Sequence, residues 1–179
     1  RLTDFHHEIA GRGHAEKLMP VIAAMDAGGR ADEIIVDSGP GSFTGVRVGL
    51  AAARALAYAW QARLRAYESL IMIAAMARET GDGGSDDLTV ALTGGHGELF
   101  WRSFDRATLA PRSATASTPI PLLAQEMTAA VIHGTGASAL VGARGHGTAV
   151  SIYPDARCLP LLPPEALRAD TTPLYGRGA

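Results

Sequence analysis

Cysteine is nearly missing from this sequence: Cys158 stands alone, so no intramolecular disulfide can form and the Cys/His spacing of a zinc site is absent. A reducing, cytoplasmic setting is expected. Nor does any apolar run approach the roughly 20 residues of a membrane span. The chain opens at Arg1 with no basic and apolar leader, so no membrane association is expected. Charge of one sign is not in excess either, since 16 Lys and Arg stand against 18 Asp and Glu for a net charge of -2. A lone RNA binder held by phosphate contacts is not expected from that balance, and any RNA would need a partner's help.

What is present is apolar. Hydrophobic residues make up 47% of the 179, enough for the core of one large domain or two small ones. After Gly11-Arg12-Gly13, Leu18, Ile22 and Met25 recur at helical steps between His14 and Ala27, and Gly28-Gly29 ends the pattern. The β-branched run Glu33 to Asp37 is too short for a helix and reads as a buried strand. From Thr44 to Gln61, Val46, Leu50, Ala53, Leu56, Ala57 and Trp60 mark a second helix, thinned by Gly49, Ala51, Ala52 and Ala55. A short strand over Leu64 to Tyr67 and a helix from a Ser69 cap to Arg78 follow.

The loop Gly81-Asp82-Gly83-Gly84-Ser85 then divides the chain. Two units are expected, residues 1–80 and 81–179. The second opens on a hairpin, Thr89 to Leu92 and Glu98 to Phe104, joined by Thr93-Gly94-Gly95-His96-Gly97. Beyond it the pattern gives a helix around Leu122 to Val131, a strand at Ala139 to Gly142 and a proline-rich tail from Leu159.

Strand, glycine turn and helix meet at Ser38-Gly39-Pro40-Gly41-Ser42-Phe43-Thr44-Gly45-Val46-Arg47-Val48-Gly49. Such a turn can cradle an anion on the free N–H groups of the helix start, or it can simply bring helix and sheet close together. It is not a Walker loop, because no lysine follows Gly45, and its spacing misses the dinucleotide fingerprint by one residue. Ser42 also fails the nucleophile elbow, being preceded by Pro40 and Gly41. Ser42 or Thr44 is expected to cap the helix, with ligand contact second. Arg47 could meet an anion or lie on the surface.

Taken whole, Gly39 to Gly49 closely resembles the signature of the TsaB/YeaZ family, and Gly11-Arg12-Gly13-His14-Ala15-Glu16 resembles a second one. Weaker likeness runs through Glu68-Ser69-Leu70 and Pro173-Leu174-Tyr175-Gly176-Arg177, so it spans nearly the whole chain. The resemblance implies an α/β, two-lobed fold of the actin, Hsp70 and sugar-kinase type (RNase H-like), with its N-terminal strands apparently missing before Arg1. It also implies partners: TsaD, the related catalytic subunit, the small ATPase TsaE, and a homodimer in isolation, with tRNA reached only through the complex. That assembly transfers threonylcarbamoyl to the adenosine beside the anticodon. Where relatives tend to carry Asp-Ala-Arg after the first strand of the second lobe, this sequence has Thr93-Gly94-Gly95.

The resemblance argues for a subunit without catalysis of its own. In the TsaD branch two histidines four residues apart hold a metal, and the matching positions here are Ser69 and Ile73, which do not. No metal, catalytic residue or cofactor is expected. His6, His7 and His14 lie near the start, and His96, His133 and His146 sit beside glycines in expected loops, mostly solvated. Cys158 is read as a small apolar residue. The alternative is an enzyme, an ATP-dependent kinase or metallopeptidase of the same superfamily, and for a kinase Asp37 is the one acidic candidate beside the turn.

The expected partner surface is Leu18, Ile22 and Met25 on the first helix with Gly49, Ala52 and Leu56 on the second. The expected anion or nucleotide contacts are Gly39, Gly41, Ser42, Thr44, Gly45 and Arg47. Gly49 is expected to be glycine because a neighbour approaches closely.

Overall fold

A computed structural model describes residues 2–9, 13–81 and 87–175. Gly11, Arg12, the centre of the dividing loop (82–86) and Gly176-Arg177 lie outside the described residues.

Helix α1 (His14–Ala24) leads through a short 3-10 turn, Asp26–Gly29, into strand β1 (Glu33–Asp37). Helix α2 (Phe43–Trp60) returns the chain so that β2 (Arg63–Tyr67) pairs parallel to β1. This strand, helix, strand order matches the sequence reading to within a residue or two. Leu50, Ala53 and Ala57 form the buried stripe of α2 and pack over the two-stranded sheet. Gly45, Gly49, Ala52, Leu56 and Trp60 form an adjoining stripe that is only half-buried.

Helix α3 (Ser69–Glu79) buries Leu70, Met72, Ile73, Ala74, Ala75 and Ala77 completely. A helix apolar on nearly every side needs cover on nearly every side, and the second sheet supplies much of it. That sheet has the order β5-β4-β3-β6-β7: β3 (Asp87–Thr93), β4 (Glu98–Asp105) and β5 (Ala116–Pro119) are antiparallel neighbours, while β6 (Val131–His133) and β7 (Thr148–Val150) run parallel. Alternation along β3 sends Leu88, Val90 and Leu92 toward α3, and Ala91 toward α4 (Ile120–Glu126) and α5 (Ala137–Arg144) on the other face. The result is helix, sheet, helix. The tail adds two 3-10 turns, Ala156–Leu161 and Pro164–Ala166, with Cys158 and Leu159 against the α3 core.

Five expectations fail here. The first helix stops at Ala24, with Met25 extended at its C-cap and a 3-10 turn in place of its last residues, and the helix expected around Leu122 to Val131 is α4, which ends at Glu126, Val131 opening strand β6. Ala139 to Gly142 is part of helix α5 and not a strand: the run sits between Gly136 at the N-cap and Gly145 in the left-handed conformation at the C-cap, the punctuation of a short helix. His133 is no solvated loop residue but a buried strand residue, 1% exposed, its Nδ1 lying 3.3 Å from the Thr89 carbonyl oxygen. Ser69 does not cap α3. Glu68 is the N-cap residue, and the Ser69 hydroxyl points elsewhere.

Candidate functional site: the cleft beside the glycine turn

Ser38, at the end of β1, is fully buried and fixes the turn: its hydroxyl donates to the Tyr67 carbonyl at 2.8 Å and accepts from Arg168 Nη2 at 3.0 Å. Gly39 follows at φ 93°, and a Cβ there would stand 2.6 Å from the Leu174 carbonyl oxygen. Only glycine meets both conditions. The tail completes the clasp, since Leu174 N–H donates to the Ser38 carbonyl and the backbone of Arg168 pairs with Ala66.

Ser42 then caps α2, its Oγ accepting from Gly45 N–H at 3.3 Å. That bond uses one of the donors an anion would need. Arg47 is turned to the surface, with its guanidinium 3.7 Å above the Phe43 ring and its Nε donating to the Tyr175 hydroxyl at 3.0 Å. Phe43 and Tyr175 themselves pack with ring centroids 5.4 Å apart.

Between this turn and the β3–β4 hairpin opens a cleft made of two adjoining cavities, of about 390 and about 650 Å³, that share Gly41, Ser42 and Thr93. Both volumes fall in the range of small-molecule sites. Of the expected ligand contacts, Gly41, Ser42 and Gly45 line it, while Gly39, Thr44 and Arg47 do not. Thr93, Gly94, Gly95 and His96, from the hairpin turn, form one wall of the larger cavity.

Asp37 and Ser69 line the smaller cavity. The Ser69 hydroxyl donates to Asp37 Oδ1 at 2.7 Å, and Gly39 N–H donates to the same oxygen at 2.8 Å. Burial raises the Asp37 pKa above the usual aspartate value; the two hydrogen bonds oppose that shift and the nearby Glu68 carboxylate adds to it. Glu68 itself is held by Arg102 Nη1 on β4 at 3.1 Å. Sequence reasoning missed Ser69 as the partner of Asp37, and missed Thr135 and Pro154 in the wall. Thr135 comes from the Gly134-Thr135-Gly136 turn, where Cβ atoms at both glycines would strike β3 or Leu99; a strand followed by Gly-x-Gly was its only signal.

The expected partner surface is partly exposed: Leu18, Ile22, Met25, Gly49, Ala52 and Leu56 are all half-buried, and α1 touches α2. Met19, 46% exposed, and Tyr58, 90% exposed, stand more openly on the same two helices. Gly49 is a correction. A Cβ there would sit 4.0 Å from Val36 Cγ2, an ordinary contact, so no close approach demands glycine. Among the described residues no three His, Cys, Asp or Glu side chains gather as metal ligands, and no helix is long and apolar enough to cross a membrane.

A family model, TsaD (tRNA N6-adenosine threonylcarbamoyltransferase), matches residues 5–116. The chain belongs to the TsaD family. A curated TsaD-family relative, the tRNA N6-adenosine threonylcarbamoyltransferase of Anaeromyxobacter sp. (strain Fw109-5), is 37% identical over 100 residues, 52% of this chain. The chain spans 30% of that relative's length. Among solved structures, YeaZ from Pseudomonas aeruginosa matches with TM-score 0.74 and 26% identity over 95% of this chain and 87% of that one. A Pseudomonas aeruginosa protein described as similar to peptidase YeaZ matches with TM-score 0.69 and 27% identity, covering 87% of this chain and 78% of that one. The resemblance to the TsaB/YeaZ branch of the TsaD family, and the actin-like α/β fold it implies, are thereby borne out.

Proposed function

We propose that the chain is a partner subunit of the machinery that places threonylcarbamoyl on the adenosine beside the tRNA anticodon, and that it has no catalysis of its own. The observation that carries this reading lies on α3. At the two positions that correspond to metal-holding histidines in the catalytic branch, the Ser69 hydroxyl is committed to Asp37 and Ile73 is fully buried in the core. A packed isoleucine supplies no donor atom, and freeing its place for a ligand would open the core. Membership of the TsaD family, with YeaZ-type structures as neighbours, supports the pathway.

In this reading a TsaD-type subunit performs the transfer, a TsaE-type ATPase joins the assembly, and tRNA is engaged only by the complex. Alone, the chain forms a homodimer through the half-exposed faces of α1 and α2. Residues 1–80 and 81–179 act as its two lobes. The enzyme alternative, a kinase or metallopeptidase, draws on the peptidase wording attached to one structural neighbour. Purified chain should show neither ATP hydrolysis nor peptide cleavage above background. Turnover that persists through purification and vanishes with Asp37→Asn would overturn the silent-subunit reading. Depletion should lower threonylcarbamoyladenosine in tRNA while the threonylcarbamoyl-adenylate intermediate persists; unchanged modification would remove the assignment.

A further inference from the structure

We propose that the cleft beside the glycine turn receives a small organic ammonium ion with an apolar body, seated on the free carboxylate oxygen of Asp37. Both hydrogen bonds to this carboxyl fall on Oδ1, from Ser69 Oγ and from Gly39 N–H. Among the described residues neither these nor any other donor reaches Oδ2, in a side chain that lines the cavity of about 390 Å³. The Ser69 hydroxyl spends its one proton on Asp37, so its lone pairs remain to accept a second N–H from a ligand at the same spot.

Charge decides the class of ligand. No Lys, Arg or His is among the described residues lining this cavity, and the charged neighbour acting on Asp37 is Glu68, of the same sign. A carboxylate beside apolar walls and without a cation is costly, and an ammonium group relieves that cost with a charge-assisted hydrogen bond. Phosphate would meet repulsion instead. A divalent metal fails on coordination, because Mg²⁺ and Ca²⁺ take about six or more oxygen ligands and Asp37 is the sole carboxylate among the described residues of this wall. The remainder of the wall, Val36, Val46, Leu92, Pro40 and Pro154, suits a short aliphatic body.

The 179-residue chain labelled with ¹³C- and ¹⁵N-aspartate, glycine and serine is titrated with n-butylammonium chloride, following the Asp37 carboxyl carbon and the Gly39 and Ser69 amides by NMR. Butanol, butyrate, inorganic phosphate and magnesium chloride at matched ionic strength serve as comparisons. The expected result is a saturable shift of all three signals with butylammonium, at least about tenfold weaker with each comparison, and lost in a folded Asp37→Asn variant. An equal response to butanol, a response to phosphate or magnesium, saturation retained in the variant, or none in the wild type overturns the proposal. The wild-type carboxyl signal decides the matter if the variant does not fold. Because no partner subunit enters the experiment, its failure leaves the proposed role in tRNA modification standing.

Discussion

At Gly39 and Gly49 the same amino acid serves opposite ends. Gly39 combines a φ of 93° with a would-be Cβ 2.6 Å from the Leu174 carbonyl oxygen. Gly39→Ala should therefore cost about 1–2 kcal/mol in backbone strain alone, more with the clash, and a denaturant melt should show it. Gly49 is helical with 4.0 Å of clearance to Val36, so Gly49→Ala should stabilise the isolated chain by about 0.5–1 kcal/mol through helix propensity. A loss of stability in that variant would mean α2 lies closer to its surroundings than it does here. Asp37 gives the third test at this scale. Its folded pKa is raised, chiefly by burial, so the folded state holds this proton more tightly than the unfolded chain does. Its contribution to stability is fully present below the unfolded value and is lost as pH rises through the folded one. Asp37→Asn should accordingly melt at or above wild type at neutral pH, the difference shrinking as pH falls through the raised folded value and levelling off at about 4, the unfolded one. A variant that is less stable at pH 7 would show that the charged form is favoured by its hydrogen bonds more than burial penalises it.

The elements divide by how local their causes are. Strand β1, helix α2 and the β3–β4 hairpin were legible because periodicity, a Ser42 cap and the glycine turns are written within each segment. Helix α5 was misread because Leu140 and Val141, an apolar pair between Ala139 and Gly142, carry too short a pattern to separate strand from helix, and the deciding signal lay in the flanking Gly136 and Gly145. His133 was misread for a tertiary reason: β6 is three residues long and becomes interior only because β3 and β7 flank it. The cleft was half legible. Gly41, Ser42 and Gly45 belong to one motif, but Ser69, Thr135 and Pro154 join it from 24 or more residues away in sequence, which no single segment reports. Helix α3 supplies the element-scale prediction. Ile73 is 0% exposed within the main core, so Ile73→Ala should cost about 2–5 kcal/mol. Ser69→His with Ile73→His, intended to restore a metal pair, should unfold the chain before it binds zinc, since it places an imidazole where no water reaches. A folded, zinc-binding double variant would refute the account of α3 as a packed structural helix.

For the molecule as a whole, the proposed partnership requires a surface that the fold leaves partly uncovered. Leu50, Ala53 and Ala57 turn α2 toward the two-stranded sheet, and the next stripe round the helix, Gly49, Ala52 and Leu56, is left half-buried. Helix α1 brings Leu18 and Ile22 alongside in the same condition, with Met25 just past its end and Met19 and Tyr58 standing further out. Apolar positions covered only in part on two adjacent helices are what a helical interface requires. If this face pairs with a TsaD-type subunit, Ala52→Arg sets a charge into a contact that is dry in the complex but wet in the free chain. Association should then weaken by roughly 2–5 kcal/mol, while the monomer keeps its circular dichroism and melting temperature. If Ala52 instead faces the interior as Ala53 does, the guanidinium has no water and no partner within the fold, and the variant should unfold. Circular dichroism with a pull-down against the TsaD-type subunit separates the outcomes: a folded chain that no longer pairs supports this face, an unfolded one assigns it to the core, and a folded chain that pairs fully moves the interface off the Ala52 stripe, leaving Met19 and Tyr58 as the next positions to substitute.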